Sequence, residues 1–506
     1  MDFLILNEGG IPLLSVLIFL PLVGALIALF LPGESVSRMW ALAVTSINAA
    51  LSFSLYTGFD STTYKYQFGE HISWIPAWDI NYTLGVDGIS LLLILLTTMI
   101  MPLCVLASWR YIEKRVKPFM ICLLVMETSM IGVFAALDFV LFYVLWEAML
   151  VPMYLLIAIW GGPRKVYASI KFFLYTLAGS VMLLVAIIAL YLANAPHTFS
   201  IPMMMGQQYS STFQLLVFGA FFLAFAIKVP MFPFHTWLPA AHVEAPTAGS
   251  VVLASILLKM GTYGFLRFCL PITPEATLTL MPYMLWLSVA GILYGGFTAL
   301  AQSDMKKLIA YSSVGHMGFV TLGIFVLNTN GIEGSILQMI NHGVTTGALF
   351  LCVGMIYERT HSRELASATG IGKQMPVFVT FLAFFSLSSL AFPGTNSFVG
   401  EFLILVGGFA ENKIVAGAAI PGAILAAAYM LRMLQKVVWG GPNNPKITIC
   451  DLNTREIVTL TPFLIFVFWI GLSPAPFLDV MHTSVAHLLD QVHAGAAASA
   501  VANILP

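Results

Sequence analysis

Long apolar runs broken by short polar stretches recur along the whole chain. A helix crosses the hydrocarbon of a bilayer in about 20 residues. Runs of that size fall at 12–32, 38–58, 86–109, 118–137, 138–160, 166–194, 211–239, 246–270, 278–301, 307–328, 332–357, 376–409, 414–439 and 457–477. They are continuous, whereas the strands of a membrane β-barrel alternate apolar and polar positions over short segments. The pattern therefore predicts an all-α, polytopic membrane protein of about 14 transmembrane helices. The shallowest boundary is at Asp138, where one acid separates two runs.

Loop charge tests this count independently, because cytoplasmic loops collect Lys and Arg. One set of alternate loops holds Arg38; Arg110, Lys114, Arg115 and Lys117; Arg164 and Lys165; Lys306 and Lys307; Arg359, Arg363 and Lys373; and Lys436, Lys446 and Arg455. The other set holds only Lys65, Arg267 and Lys413, with acids such as Asp60, Glu70, Asp79 and Glu275. The alternation survives all the runs, which a wrong count would scramble. It places both termini on the non-cytoplasmic side.

Composition narrows the class further. Of 506 residues, 59% are hydrophobic and 9% charged, against about 25% charged in soluble domains. A net charge of -1 excludes a nucleic-acid binder held by a basic surface. The five Cys, at 104, 122, 269, 352 and 450, have no ligand spacing, so no Cys-ligated iron–sulfur cluster, structural zinc or disulfide framework is expected on this chain. Asp2 and Glu8 stand where a signal peptide carries positive charge, so no cleaved signal is expected. SATGIGKQ (367–374) has Ser367 and Gln374 at the positions where a phosphate loop needs Gly and a hydroxyl, and no G-x-G-x-x-G occurs, so no nucleotide is expected to bind.

The chemistry lies in charges inside the runs. A Lys or an acid at a helix centre costs roughly 2.5–3.5 kcal/mol on insertion scales. Glu147 in LFYVLWEAMLVPMY, Lys228 in FGAFFLAFAIKVPMFPFH, Lys259 in GSVVLASILLKMGTYG and Glu401 in FPGTNSFVGEFLILVG all sit where that cost applies. His316 and His342 lie within apolar runs too. Static pairing is the bland alternative, and for the histidines a bonded core role competes with proton carriage. Lys171, about one turn inside its run, can snorkel to the cytoplasmic face. A metal site at His235, His242 and Glu244 is disfavoured, because these residues flank a Pro-rich turn near the membrane surface.

Helix breaks accompany two of these charges. Pro230 and Pro233 follow Lys228, and Pro393, Gly394 and Gly400 precede Glu401. Irregular backbone at membrane depth is tolerated only where protein or water lines it. Broken helices in corresponding positions of two halves point to a transporter built from repeats. Their odd offset of five runs makes the repeats inverted, a reading that rests on pattern alone.

FHTWLPAAHVEAPTAGSVVLASILLKMGTYGFLRF (Phe234 to Phe268), FYVLWEAMLVPMYLLIAIWG, LIAYSSVGHMGFVTLGIF and FPGTNSFVGEFLILVGGF resemble, in order and over nearly the whole chain, the proton-translocating subunit M family of bacterial respiratory complex I. This NADH-quinone oxidoreductase subunit is the equivalent of mitochondrial NADH dehydrogenase subunit 4. The wider antiporter-like family includes multisubunit cation/proton antiporters, which supply the rival reading. AHVEAP with LLKMGTYG looks like the complex I branch, and the length fits better than that of the related subunit 5, which carries a long lateral helix.

The resemblance implies a membrane-arm subunit without a redox centre: NADH, FMN, iron–sulfur clusters and quinone belong to other subunits, and the partners are membrane-arm subunits and lipid. It implies N-terminal helices over 1–117, two inverted five-helix repeats over 118–270 and 271–440, and a last helix and tail over 441–506. It also implies that Glu147 and Lys228 form a first-half pair, that Lys259 is a central relay, that His316 and His342 extend the path, and that Glu401 is the second-half acid. The expected location is the bacterial inner membrane, with the mitochondrial inner membrane as alternative; the lack of a transit peptide favours a bacterial or organelle-encoded chain.

Overall fold

The fold is described by a computed structural model covering residues 3–7, 10–367, 369–439 and 449–502; Asp2, Glu8 and Lys446 lie outside the described residues. Within them, 13 helices are long and apolar enough to cross a membrane. Helices are the economical solution in lipid because each satisfies its own backbone. The remaining expected run, 376–409, is split into Pro376–Ser389 and Asn396–Glu411. Between the two, Gly394 takes φ 90°, a left-handed conformation that costs glycine little.

The Asp138 boundary is a genuine helix start. Its carboxylate accepts from Val140 N at 2.8 Å and Leu141 N at 3.3 Å, capping Phe139–Ala148. A third bond, from Asn81 N at 3.0 Å, ties this cap to the preceding loop. Burial pushes the Asp138 carboxyl up to about 6, against the opposing pull of those bonds. The chain then kinks at Met149 and continues as Leu150–Trp160.

The run expected at 211–239 breaks where the prolines fall. One helix, Ser211–Lys228, ends on the lysine itself, and Trp237–Glu244 resumes beyond the turn. Trp237 folds back and donates its indole N–H to Ile227 O at 2.7 Å, satisfying a carbonyl freed at the break.

Two features were not expected from the apolar runs. A small three-stranded sheet forms from Leu4–Leu6, Tyr66–Ile75 and Ile80–Val86, the first pair parallel and the second antiparallel, with Glu70 opposite Leu84 and Ser73 opposite Asn81. The tail after the last span, Thr454–Leu472, is a further helix, Ala475–Ala502, packed on Gly88–Tyr111 and Thr329–Thr360. The fold remains helical, with the sheet a minor outer piece.

Burial sorts the helices into core and periphery. Leu13–Phe30 leaves Leu26, Leu29 and Phe30 exposed, as a lipid-facing helix should. Thr247–Ile272 and Thr329–Thr360 are buried throughout their apolar windows. These two innermost helices carry Lys259 and His342.

Candidate functional site

The central charges form a row at the heart of the protein. Lys259 is completely buried, and short π-helical turns bracket it at Leu253–Leu257 and Phe265–Cys269. Such turns offset the i→i+4 ladder and re-aim side chains. The Lys259 ammonium donates to Ala254 O and meets His342 Nδ1 at 2.6 Å. Donation by the lysine makes Nδ1 the acceptor and leaves the proton of a neutral His342 on Nε2. That Nε2 is buried and has no hydrogen-bond partner among the described residues.

The row continues on the next helix, Met305–Phe325. The rings of His342 and His316 lie 6.0 Å apart, centroid to centroid. His316 Nδ1 meets Glu401 Oε1 at 3.0 Å, an ion pair when the ring is protonated. Its Nε2 faces Ser389 Oγ at 3.3 Å and Tyr429 OH at 3.4 Å. Gln338 Nε2 donates to the same carboxylate oxygen at 3.1 Å. Every group from Lys259 to Glu401 is buried.

The second helix break holds this end in place. Ser388 Oγ donates to Asn396 Oδ1 at 2.5 Å, Thr345 and Ser388 hydroxyls meet at 2.6 Å, and Asn341 donates to Asn396 O at 2.8 Å. Five residues after Asn396, Glu401 is thus aimed inward by a polar knot that also satisfies backbone freed at the break.

Glu147 and Lys228 form a separate cluster. Lys228 is buried, with Nζ 3.8 Å from Met149 Sδ and 4.8 Å from the Trp146 ring centroid. Trp146 donates to Ser180 Oγ at 3.0 Å. Glu147 lies close enough to feel both Ser180 and the Lys228 ammonium. The two are not in contact as an ion pair, and Glu147 Oε1 is buried without a hydrogen-bond partner among the described residues. The expected pair is therefore charge-coupled but open, with Met149 and Trp146 against the ammonium instead of the carboxylate.

The two clusters abut through backbone. A Cβ on Gly261 would lie 3.0 Å from Phe225 O and from Val229 N, so the glycine lets the Lys259 helix touch the end of the Lys228 helix. No side-chain hydrogen bond joins the two lysines among the described residues. Lys171 is half-buried, its Nζ 5.7 Å from the Tyr167 ring centroid, outside both clusters.

Of the residues first considered for a metal, His242 stacks on Phe350 at 4.5 Å and His235 stacks on Phe232 at 5.9 Å, while Glu244 accepts Arg164 N at 2.9 Å. Sequence reasoning missed Glu127, fully buried and bonded by Asn48 at 2.8 Å. Its signal was available: an acid in mid-run, by the same criterion that selects Glu147. It also missed Gln338, Ser389 and Tyr429, which no charge marks.

Comparison with known proteins places the chain. A model described as "NADH:quinone oxidoreductase/Mrp antiporter, TM" matches residues 136–425, and one described as "NADH-ubiquinone oxidoreductase chain 4, amino terminus" matches 16–133. NADH-quinone oxidoreductase subunit M of Rhodobacter capsulatus is 46% identical, over 95% of this chain and 97% of its own. NADH-ubiquinone oxidoreductase chain 4 of Marchantia polymorpha is 46% identical over 94% and 97%. The chain belongs to the subunit M/chain 4 family. A solved fold agrees: a chain of respiratory complex I from Thermus thermophilus, 30% identical, superposes with a TM-score of 0.86 over 94% of this chain and 99% of that one. The first model alone spans both rival branches, and the second, over the N-terminal helices, selects between them.

Proposed function

We propose that this chain is a membrane-arm subunit of an NADH:quinone oxidoreductase and that it moves protons across the membrane while electrons pass through other subunits. The observation that carries the reading is the buried row Lys259–His342–His316–Glu401, in which hydrogen-bond contacts of 2.6 and 3.0 Å flank one gap between imidazoles. Each member can gain or lose a proton, and one bridging water closes the gap. Glu147, with its open coupling to Lys228, is the switch. An ammonium's hold on its proton depends on how near a carboxylate lies, so moving Glu147 toward or away from Lys228 makes that lysine hold or release. Driving one charge against the membrane potential takes about 2.3 kcal/mol per 100 mV, within the few kcal/mol that remaking a buried ion pair supplies.

The two helix breaks, one at Lys228 and one before Glu401, support the two-repeat reading of 118–270 and 271–440. NADH, FMN, iron–sulfur clusters and quinone are assigned to partner subunits, and neighbouring membrane-arm subunits and lipid cover the flanks. The face bearing the sheet and the Ala475–Ala502 helix is assigned to the non-cytoplasmic side, in a bacterial or mitochondrial inner membrane.

Substitution at Glu401 tests the relay against a scaffold role. Glu401→Asp keeps an ionisable group, whereas Glu401→Gln keeps shape and hydrogen bonding without ionising. In assembled complexes, Asp is expected to retain more proton-gradient formation per NADH oxidised than Gln, which loses about 10²-fold in transfer rate. Gln near wild type with Asp inactive would move Glu401 from the relay to the scaffold.

A further inference from the structure

The helix Gly88–Tyr111 is mostly buried, yet Leu95, Met99 and Pro102 are only half-buried, at a spacing that puts them on one face. They form the floor of a cavity of about 440 Å³. Glu34–Gly58 and Thr454–Leu472 wall it, and these are the two spans with the least buried apolar windows. Phe53 and Trp469 stand exposed at its lips. At the back lie Ile340 and Val344 of Thr329–Thr360. They are one turn apart, and at 3.6 residues per turn His342, between them, faces the opposite side. The cavity thus backs onto the central helix of the row without reaching its imidazole.

Its dimensions and lining specify what it can hold. It runs from Ser46 to Tyr56 along one wall and from Leu103 to Leu92 along the floor, about 15–17 Å at 1.5 Å per residue. That is half of a hydrocarbon core of roughly 30 Å, the depth of one leaflet. Pro102 and Pro462, each inside a helix, mark the mid-membrane end. Tyr56, Trp469 and Phe477 mark the outer end, where the indole meets Phe477 edge-on at 5.3 Å; Tyr and Trp favour the headgroup level. No charged side chain lines the cavity. Its buried hydroxyls, Ser52 and Thr98, meet each other at 2.7 Å and have the Ala49 and Leu95 carbonyls at 2.8 and 3.1 Å, so neither is left over for a polar ligand. Such a space does not hold water, and left empty it forfeits dispersion contacts along its whole length.

We propose that this slot is a binding site for one acyl chain of a membrane phospholipid, drawn from the leaflet next to the sheet and the C-terminal helix. The ester end of the chain lies at Tyr56 and Trp469, and its terminal methyl lies at Pro102 and Pro462. One-leaflet length, an apolar lining and an opening between the two most lipid-facing spans together select a hydrocarbon chain, and phospholipid is what the bilayer supplies at that depth. Without a charged lining residue the site takes the chain and ignores the headgroup. The bound chain fills the space that side chains leave between the walls and supports the back of the His342 helix. This inference does not depend on protons moving along the row.

The test is photo-crosslinking of the whole complex in liposomes doped with phosphatidylethanolamine or phosphatidylglycerol that carries a diazirine in one acyl chain, with adducts located by mass spectrometry. A diazirine near the terminal methyl is expected to label Pro102 and Leu103, and one near the ester to label Leu92 and Phe477. The two headgroups should label alike. Ala49→Trp, which plugs the slot from its wall, is expected to cut these adducts several-fold while those on the lipid-exposed Leu26 and Leu29 persist. The wild-type arms stand alone if that variant does not assemble. Slot residues free of adducts while Leu26 and Leu29 are labelled would overturn the site and mean that a neighbouring subunit fills it. Identical labelling by the two diazirine positions, adducts unchanged in assembled Ala49→Trp, or a several-fold headgroup preference would each overturn it as well. Displacement of the phospholipid adducts by an equal mole fraction of an isoprenoid quinone would give the slot to a quinone tail and overturn the assignment to phospholipid.

Discussion

Lys259→Ala is expected to abolish proton pumping through this subunit in an otherwise assembled complex, with transfer through the row slowed by about 10²-fold or more. Among the described residues, Lys259 is the only protonatable group that touches His342 Nδ1, at 2.6 Å, and its other bond goes to a backbone carbonyl. Without it the imidazole pair has no donor on the Lys228 side. Misfolding is a poor rival explanation, because removing a buried ammonium relieves the roughly 2.5–3.5 kcal/mol insertion cost. Lys259→Arg is expected to fail as well: it preserves charge, but a guanidinium does not release its proton. Gradient formation per NADH oxidised in proteoliposomes reads the effect, and normal coupling in Lys259→Ala would remove the lysine from the path.

Glu147→Ala is the second large effect. Among the described residues, Glu147 is the one carboxylate acting on Lys228, and its Oε1 has no hydrogen-bond partner there that fold stability needs. The substitution should therefore spare assembly yet leave Lys228 without its switching partner, cutting coupled NADH oxidation by roughly tenfold or more. Glu147→Asp, which keeps the charge on a shorter arm, should recover part of the loss. Near-normal pumping by an assembled Glu147→Ala complex would show that the carboxylate does not gate the lysine.

Much of this was legible in the chain because lipid imposes strict rules. Run length located the spans, the cost of charge in lipid singled out Glu147, Lys228, Lys259 and Glu401, the apolar runs held His316 and His342, and Pro230 with Pro233 located the break at Lys228. What stayed hidden was set by non-local contacts. The strands Tyr66–Ile75 and Ile80–Val86 lie in what hydropathy reads as a loop, and their pairing depends on register. The Ala475–Ala502 helix follows the last span after only two residues, too close for a hydropathy boundary to separate. Glu147 and Lys228 were expected as a pair; that Met149 and Trp146, both apolar, occupy the ammonium's side of the cluster is something nothing in their pattern announces. Arg267 read as a loop charge because it stands near a helix end, whereas the fold turns it inward onto Asp87.

The central claim is that protons pass along one continuous row, and its weakest point is the 6.0 Å step between the His342 and His316 rings. The most direct measurement is a structure of the whole assembly at a resolution that shows ordered water. The account predicts a water hydrogen-bonded to His342 Nε2, now unpartnered, and linked onward to His316 or its hydroxyl neighbours Ser389 and Tyr429. A dry, apolar contact between the two rings in every functional state, with no water reaching Nε2, would contradict it.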